Sequence, residues 1–260
     1  MMNTTQNRIE RIKNNGYELD FGTVFNHAFE NYKKIALYGG LVLFVFFFLL
    51  SIVAFGVIIA IFGSAATLEF LKPENLRPEA LSLNILLIIS AVSILIGSSL
   101  SPFTAGLIKM AYCAERDEEF HVSTMFEFFK APYFKELFIA TLLVSIVSST
   151  LSAIIDYAQI PILGFVNTLT VNLFTILMIP LIIFGKLKAV QAIETSLMIV
   201  SKQPLILLGL IVVSVLAVTV GLIGCCIGIF FTIPFMYSLY YVIYSEIIGF
   251  DTEIEQEATI

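Results

Sequence analysis

The sequence predicts an all-α protein: a polytopic transmembrane helical bundle of six spans, built as three helical hairpins with interfacial amphipathic helices. Three observations carry this expectation. Of the 260 residues, 58% are hydrophobic and 13% are charged, about half the charged share of a soluble domain. The apolar residues fall in long uninterrupted runs, and about 20 of them in a helix cross the roughly 30 Å of bilayer hydrocarbon. The lysines and arginines gather on alternate connections between those runs, as a fixed orientation in the membrane requires.

Residues 1–16, "MMNTTQNRIERIKNNG", are polar and are expected to form a disordered tail. They lack the short apolar core of a secretory signal, so the chain is expected to be retained whole. The membrane domain covers 17–248. Its first piece, near 20–34, puts Phe21, Val24, Phe25, Ala28, Phe29 and Tyr32 on one helical face, with Thr23, Asn26, His27, Glu30 and Lys33 on the other. Steps of three and four residues make one apolar stripe, and such a helix is expected to lie in the interface before turning into the first span.

The first span is read as Ile35 to Gly63, which holds no charge, and the second starts near Leu81 and passes Pro102. A second amphipathic helix near 123–131, "VSTMFEFFK", has capping-box spacing at Thr124 and Glu127 and a greasy face at Phe126 and Phe129. Glu136 to Ile155 is the third span and Ile162 to Phe184 the fourth. A third amphipathic helix near 189–202 groups Val190, Ile193, Leu197 and Val200. From Pro204 to Ser245 run 42 residues without a charge, about 63 Å as helix. That is enough for a fifth and a sixth span, joined at "GLIGCCIG". Residues 249–260 are an acidic tail, read as cytoplasmic and disordered.

Amphipathic helix, basic residue, span, outer connection and returning span recur weakly, beginning at "AFENYKK", "FEFFKAPYFK" and "AIETSLMIVSK". Three consecutive hairpins are the economical arrangement of such a repeat. Twelve of the fourteen basic residues then fall on one side, and only Lys72 and Arg77 on the other. This asymmetry predicts that both termini are cytoplasmic. The chain has no Trp, so Tyr32, Tyr38, Tyr112, Tyr133, Tyr240, Tyr241 and Tyr244 are expected to supply the interfacial belt on that side.

"AIETSLMIVSKQPLILLGLIVV" followed by "GLIGCCIGIFFTIPFMYSLYYVIY" resembles the end of an uncharacterised group of bacterial multi-spanning membrane proteins. That group includes the membrane domain attached to some glycerophosphodiester phosphodiesterases. The stretch "SPFTAGLIKMAYCAERDEEFHVSTMFEFFK" is similar to its middle segment, and the likeness covers most of residues 20 to 250. The resemblance implies an all-helical domain of the bacterial inner membrane and carries no reaction with it.

Chemistry is sparse. Cys225 and Cys226 are adjacent, which strains a disulfide between them, and a metal would need further soft or imidazole ligands nearby. Gly224 and Gly228 share a face if helical and let backbones approach. Packing and hairpin closure is the leading reading of this motif, with lipid or redox modification and metal binding as alternatives. Small polar residues form stripes: Ser90, Ser93, Gly97 and Ser101 on the second span, Ser145, Ser148, Ser152 and Asp156 on the third, Thr168, Asn172 and Thr175 on the fourth. They suit interhelical packing, or alternatively a polar cavity. The cluster "AERDEEFH" (Glu115, Asp117, Glu118, Glu119, His121) is read as a solvated turn rather than a metal site.

No catalytic, cofactor-binding or metal-binding residue is expected, nor any cofactor. A net charge of −6 argues against a nucleic-acid partner. The expected partners are the lipid bilayer and other membrane proteins or a second copy. The leading expectation is therefore a non-enzymatic membrane scaffold, anchor or partner of envelope components. The alternative is a transporter or lipid-handling protein that uses a polar cavity between spans two to four.

Overall fold

A computed structural model describes residues 4–72, 75, 82–158, 160–223 and 227–250. Among these residues the regular structure is all helical. Six of the helices are long and apolar enough to cross a membrane, and the protein is a multi-pass membrane protein.

Helix α1 (Thr4–Asn15) stands where a disordered tail over residues 1–16 was expected. Its mean polarity hides its anchors. Ile12 is buried, and Arg8 Nη1 donates to the carbonyls of Ile248 and Phe250, both at 3.0 Å. Carbonyls at a helix C-terminus have no partner within the helix, so a cation there satisfies them and meets the negative end of the dipole.

Helix α2 (Phe21–Phe62) follows, 42 residues long, or about 63 Å. Asp20 caps it, accepting from the Thr23 N–H at 2.7 Å and from the Thr23 hydroxyl at 2.8 Å. The segment 20–34 therefore does not lie down and turn; it is the first part of one continuous helix. No helix breaker separates Tyr32 from Ile35, and the only glycine pair, Gly39–Gly40, is spent on a close crossing. A Cβ on Gly40 would stand 2.9 Å from the Phe231 Cα.

After Gly63 come a short α3 (Ser64–Phe70) and then α4 (Leu83–Glu115). The segment near 123–131 is not one amphipathic helix but a single α turn, α5 (Val122–Met125), and a 3₁₀ turn at Glu127–Phe129. The tighter winding aligns residues three apart, so Met125 and Phe128 point inward. Phe126 and Phe129, expected to be the greasy face, are 38% and 36% exposed. The cap also shifts: Thr124 Oγ1 accepts from the His121 N–H at 3.2 Å, which makes Thr124 the third residue of the turn instead of its cap. Gly106 of α4 makes room for this segment, because a Cβ there would sit 2.5 Å from the Met125 Cα.

The third crossing is α6 (Tyr133–Tyr157). The fourth is broken into α7 (Pro161–Thr175) and α8 (Met178–Ile183). Pro180 explains the break, since its ring excludes the carbonyl four residues earlier and its nitrogen offers no donor. Helix α9 (Ala189–Val200) leads into α10 (Pro204–Ile223) and α11 (Gly228–Ile247). Ala192, Ser196, Ile199 and Val200 of α9 face the protein whereas Val190 and Leu197 are exposed, so the expected stripe of Val190, Ile193, Leu197 and Val200 is split between the two sides.

The most extensive pairing joins the first and last crossings, α2 and α11, with α10 folded back on α11 and α6 packed on α4. The core gathers where both described ends of the chain lie: Ile35, Leu43, Leu107, Met110, Leu137, Leu177, Leu181 and Tyr244 are fully buried there. We call this the basic end, after the lysines and arginines around it. Towards the other end, α2 beyond Phe47 and α4 from Leu83 to Gly97 are exposed almost throughout.

Candidate functional site

At the basic end, three helices meet through polar side chains. Asn31 lies one turn beyond His27 on α2, Glu115 ends α4, and Ser238 and Glu246 stand two turns apart on α11. Lys33 and Lys34 mark where the apolar crossing of α2 begins, at Ile35, so His27 and Asn31 precede it. Asn31 is 1% exposed. Its Nδ2 donates to the Ala111 carbonyl at 2.8 Å and to Glu115 Oε2 at 3.0 Å. Its Oδ1 accepts from the Ser238 hydroxyl at 2.8 Å. One carboxamide thus ties α2, α4 and α11 together, with each described atom matched to a partner.

His27 does the same with charge. Nε2 is 2.9 Å from Glu115 Oε1, and Nδ1 is 3.0 Å from Glu246 Oε1. Two carboxylate acceptors require a proton on both ring nitrogens, which is the imidazolium form. Burial opposes that charge, but the hydrogen bonds to Glu246 and Glu115 and their negative charge outweigh it. They hold the His27 pKa above its ordinary value of 6.5. Beside this group Lys34 Nζ donates to the Ala114 carbonyl at 3.0 Å and to Asp117 Oδ1 at 2.9 Å. The arrangement is a proton-dependent tie between helix ends. Among the described residues, no group of three His, Cys, Asp or Glu is arranged to hold a metal ion.

An aromatic cluster closes the same end. Phe250 packs against Tyr112, Phe184, Tyr241 and Tyr244 with centroids 5.0 to 5.8 Å away. Lys109 Nζ lies 4.0 Å and Arg116 Cζ 4.6 Å from the Tyr112 ring centre, each a cation–π contact. Tyr112, Tyr241 and Tyr244 are therefore interior residues and not part of a lipid-facing belt.

The acidic cluster divides. Asp117 takes a positive φ of 52° as the chain leaves α4, while Glu115 leaves the turn and joins the His27 network. The polar stripes do not converge. Ser90, Ser93 and Gly97 of α4 lie exposed, and Gly97 has open space around it. Thr168, Asn172 and Thr175 donate to carbonyls of their own helix. The real link between α6 and α7 is Asn167, outside the expected stripe, whose Nδ2 donates to Ser152 Oγ at 2.9 Å. What lies between α6, α7 and α9 is an apolar groove of about 380 Å³. Gly224, Cys225 and Cys226 lie outside the described residues, as do Arg77 and residues 251–260. The hairpin closes at Gly221 and Gly228, where a Cβ on Gly228 would come 2.5 Å from the Gly221 carbonyl oxygen.

Sequence reasoning passed over Asn31, Ser238 and Glu246. Asn31 carried a usable signal: with Ala28 and Ile35 it continues a three-and-four spacing, so a carboxamide sits on the packed face. Compared with known proteins, the chain matches no family model, no curated protein and no solved structure.

Proposed function

We propose that the protein is a non-enzymatic scaffold of a bacterial inner membrane, with both termini and the basic end in the cytoplasm. One observation carries the reading. The basic end is a tied assembly, in which Asn31 and His27 join α2, α4 and α11 while Arg8 fastens α1 to the end of α11. Such cross-links stiffen a surface that other components dock on, and they leave the opposite halves of α2 and α4 to lipid. Transport would need two alternative packings of the helices around a central site. The polar stripes favour such a site poorly, because Ser101, Thr168 and Thr175 bond carbonyls of their own helices while Ser90 and Ser93 lie exposed. The resemblance to membrane domains found beside phosphodiesterases accords with an anchoring role and is part of this proposal.

Photo-reactive residues at exposed positions Glu10 and Glu194, compared with Asn84 at the far end, test it in cells. The scaffold reading expects adducts of discrete mass at the first two positions. Absence of adducts there, together with solute exchange across reconstituted vesicles, replaces it with the transporter reading.

A further inference from the structure

The groove between α6, α7 and α9 has fixed walls. The Ser196 hydroxyl of α9 donates to the Phe174 carbonyl of α7 at 2.6 Å. The Ala189 N–H at the start of α9 donates to Glu136 Oε2 of α6 at 2.8 Å. These bonds hold three helices in place while Leu143, Val147, Val171, Phe174, Ile193 and Leu197 line the gap between them. Thr170 and Thr175 also border it, but each donates to a carbonyl of its own helix at 2.7 Å. The lining therefore asks for no polar ligand, and an apolar recess of this kind does not hold ordered water.

One end of the groove is basic. The bond between Ala189 and Glu136 brings together their chain neighbours, Lys188 and Lys135, and Lys186 stands two residues before the first of these. All three lysines are exposed and make no ion pair among the described residues. Ile193 of the wall lies about 7.5 Å beyond Lys188, and Leu143 about 12 Å beyond Lys135, along their helices. A charged rim above an apolar slot at membrane depth matches one kind of molecule, with an anionic head and a hydrocarbon tail. We propose that this groove binds an anionic phospholipid, its acyl chain lying between α6, α7 and α9 and its phosphate meeting Lys135 and Lys188. The site is independent of the scaffold reading.

The absence of Trp from the chain makes a clean test available. Leu197→Trp places a single fluorophore in the groove wall, and Leu216→Trp places one on the exposed surface of α10, about 18 Å along the helix from its start at Pro204. Both side chains are exposed, so neither change disturbs packing. Full-length protein is reconstituted in phosphatidylcholine vesicles containing phosphatidylglycerol or phosphatidylcholine brominated on the acyl chain. Brominated phosphatidylglycerol is expected to quench Leu197→Trp at a mole fraction lower by about fivefold per engaged lysine. It should show no advantage at Leu216→Trp, and Lys135→Gln with Lys188→Gln should remove the advantage at Leu197→Trp. Equal quenching by both lipids at Leu197→Trp, no quenching there, the same preference at Leu216→Trp, or a preference that survives the lysine replacements would each overturn the proposal.

Discussion

Asn31→Ala removes the side chain that joins three helices, and the cost can be worked from its bonds. Two of the three bonds, to the Ala111 carbonyl and from the Ser238 hydroxyl, are between neutral groups, and the third goes to the Glu115 carboxylate. Neutral bonds contribute about 1 kcal/mol each and a bond to a charge about 1.5–3 kcal/mol, while polar pairs within membrane helices average nearer 0.6 kcal/mol. The loss is therefore about 3 kcal/mol. For a chain of this size that lowers the midpoint of thermal unfolding by roughly 6–12 °C. The assay is a melting curve of purified protein in mild detergent, with Asn26→Ala as the control. Asn26 is exposed one turn earlier on the same helix, and its loss should shift the midpoint by less than a degree or two. A double-mutant cycle with Ser238→Ala should return a coupling of about 0.6–1 kcal/mol. Asn31→Asp should be worse than Asn31→Ala at neutral pH, because it sets a second carboxylate against Glu115, and it should recover on acidification. If Asn31→Ala melts like Asn26→Ala, the helix ends are not joined as described.

His27 adds a pH dependence whose sign is fixed. Its folded pKa is raised above 6.5, so the stabilisation is complete below the ordinary His pKa and is lost as pH rises through the folded value; His27→Gln should flatten the melting profile across that window. Gly106→Ala should destabilise by at least about 2 kcal/mol, since the added methyl meets Met125 backbone that cannot swing aside. Gly97→Ala, in open space, should be neutral or slightly stabilising by helix propensity, and the two melting points measured side by side decide the matter. Phe25→Glu should lower abundance in the membrane, because the Phe25 ring packs edge-on to Phe235 at 5.8 Å. Asn26→Glu should not, and cysteine labelling at 25 and 26 should show the second position the more reactive.

The six crossings were legible because crossing a bilayer is a matter of length and composition, which a window of about 20 residues reads directly. Which face of each helix packs was much less legible. The stripe Val190, Ile193, Leu197 and Val200 on α9 does not mark one packed face: Val190 and Leu197 are exposed, whereas Val200 is buried with Ala192, Ser196 and Ile199. Where the surroundings are as apolar as the interior, hydrophobicity does not distinguish the two sides. The candidate site was hidden for another reason. His27 meets partners 88 and 219 residues away, beyond any local pattern. The N-terminal helix escaped because a few anchors, Arg8 and Ile12 among them, hold a segment whose average composition is that of a tail.

Central to the proposed function is a tied, basic end facing the cytoplasm, with the open halves of α2 and α4 directed to the opposite surface. Reporter fusions after residues 15, 75 and 255, each read with one enzyme active only in the cytoplasm and one active only outside it, measure this directly. The expected pattern is cytoplasmic, external, cytoplasmic, following the twelve-to-two division of basic residues. An external signal at residue 15 or 255, or a cytoplasmic one at 75, would contradict it.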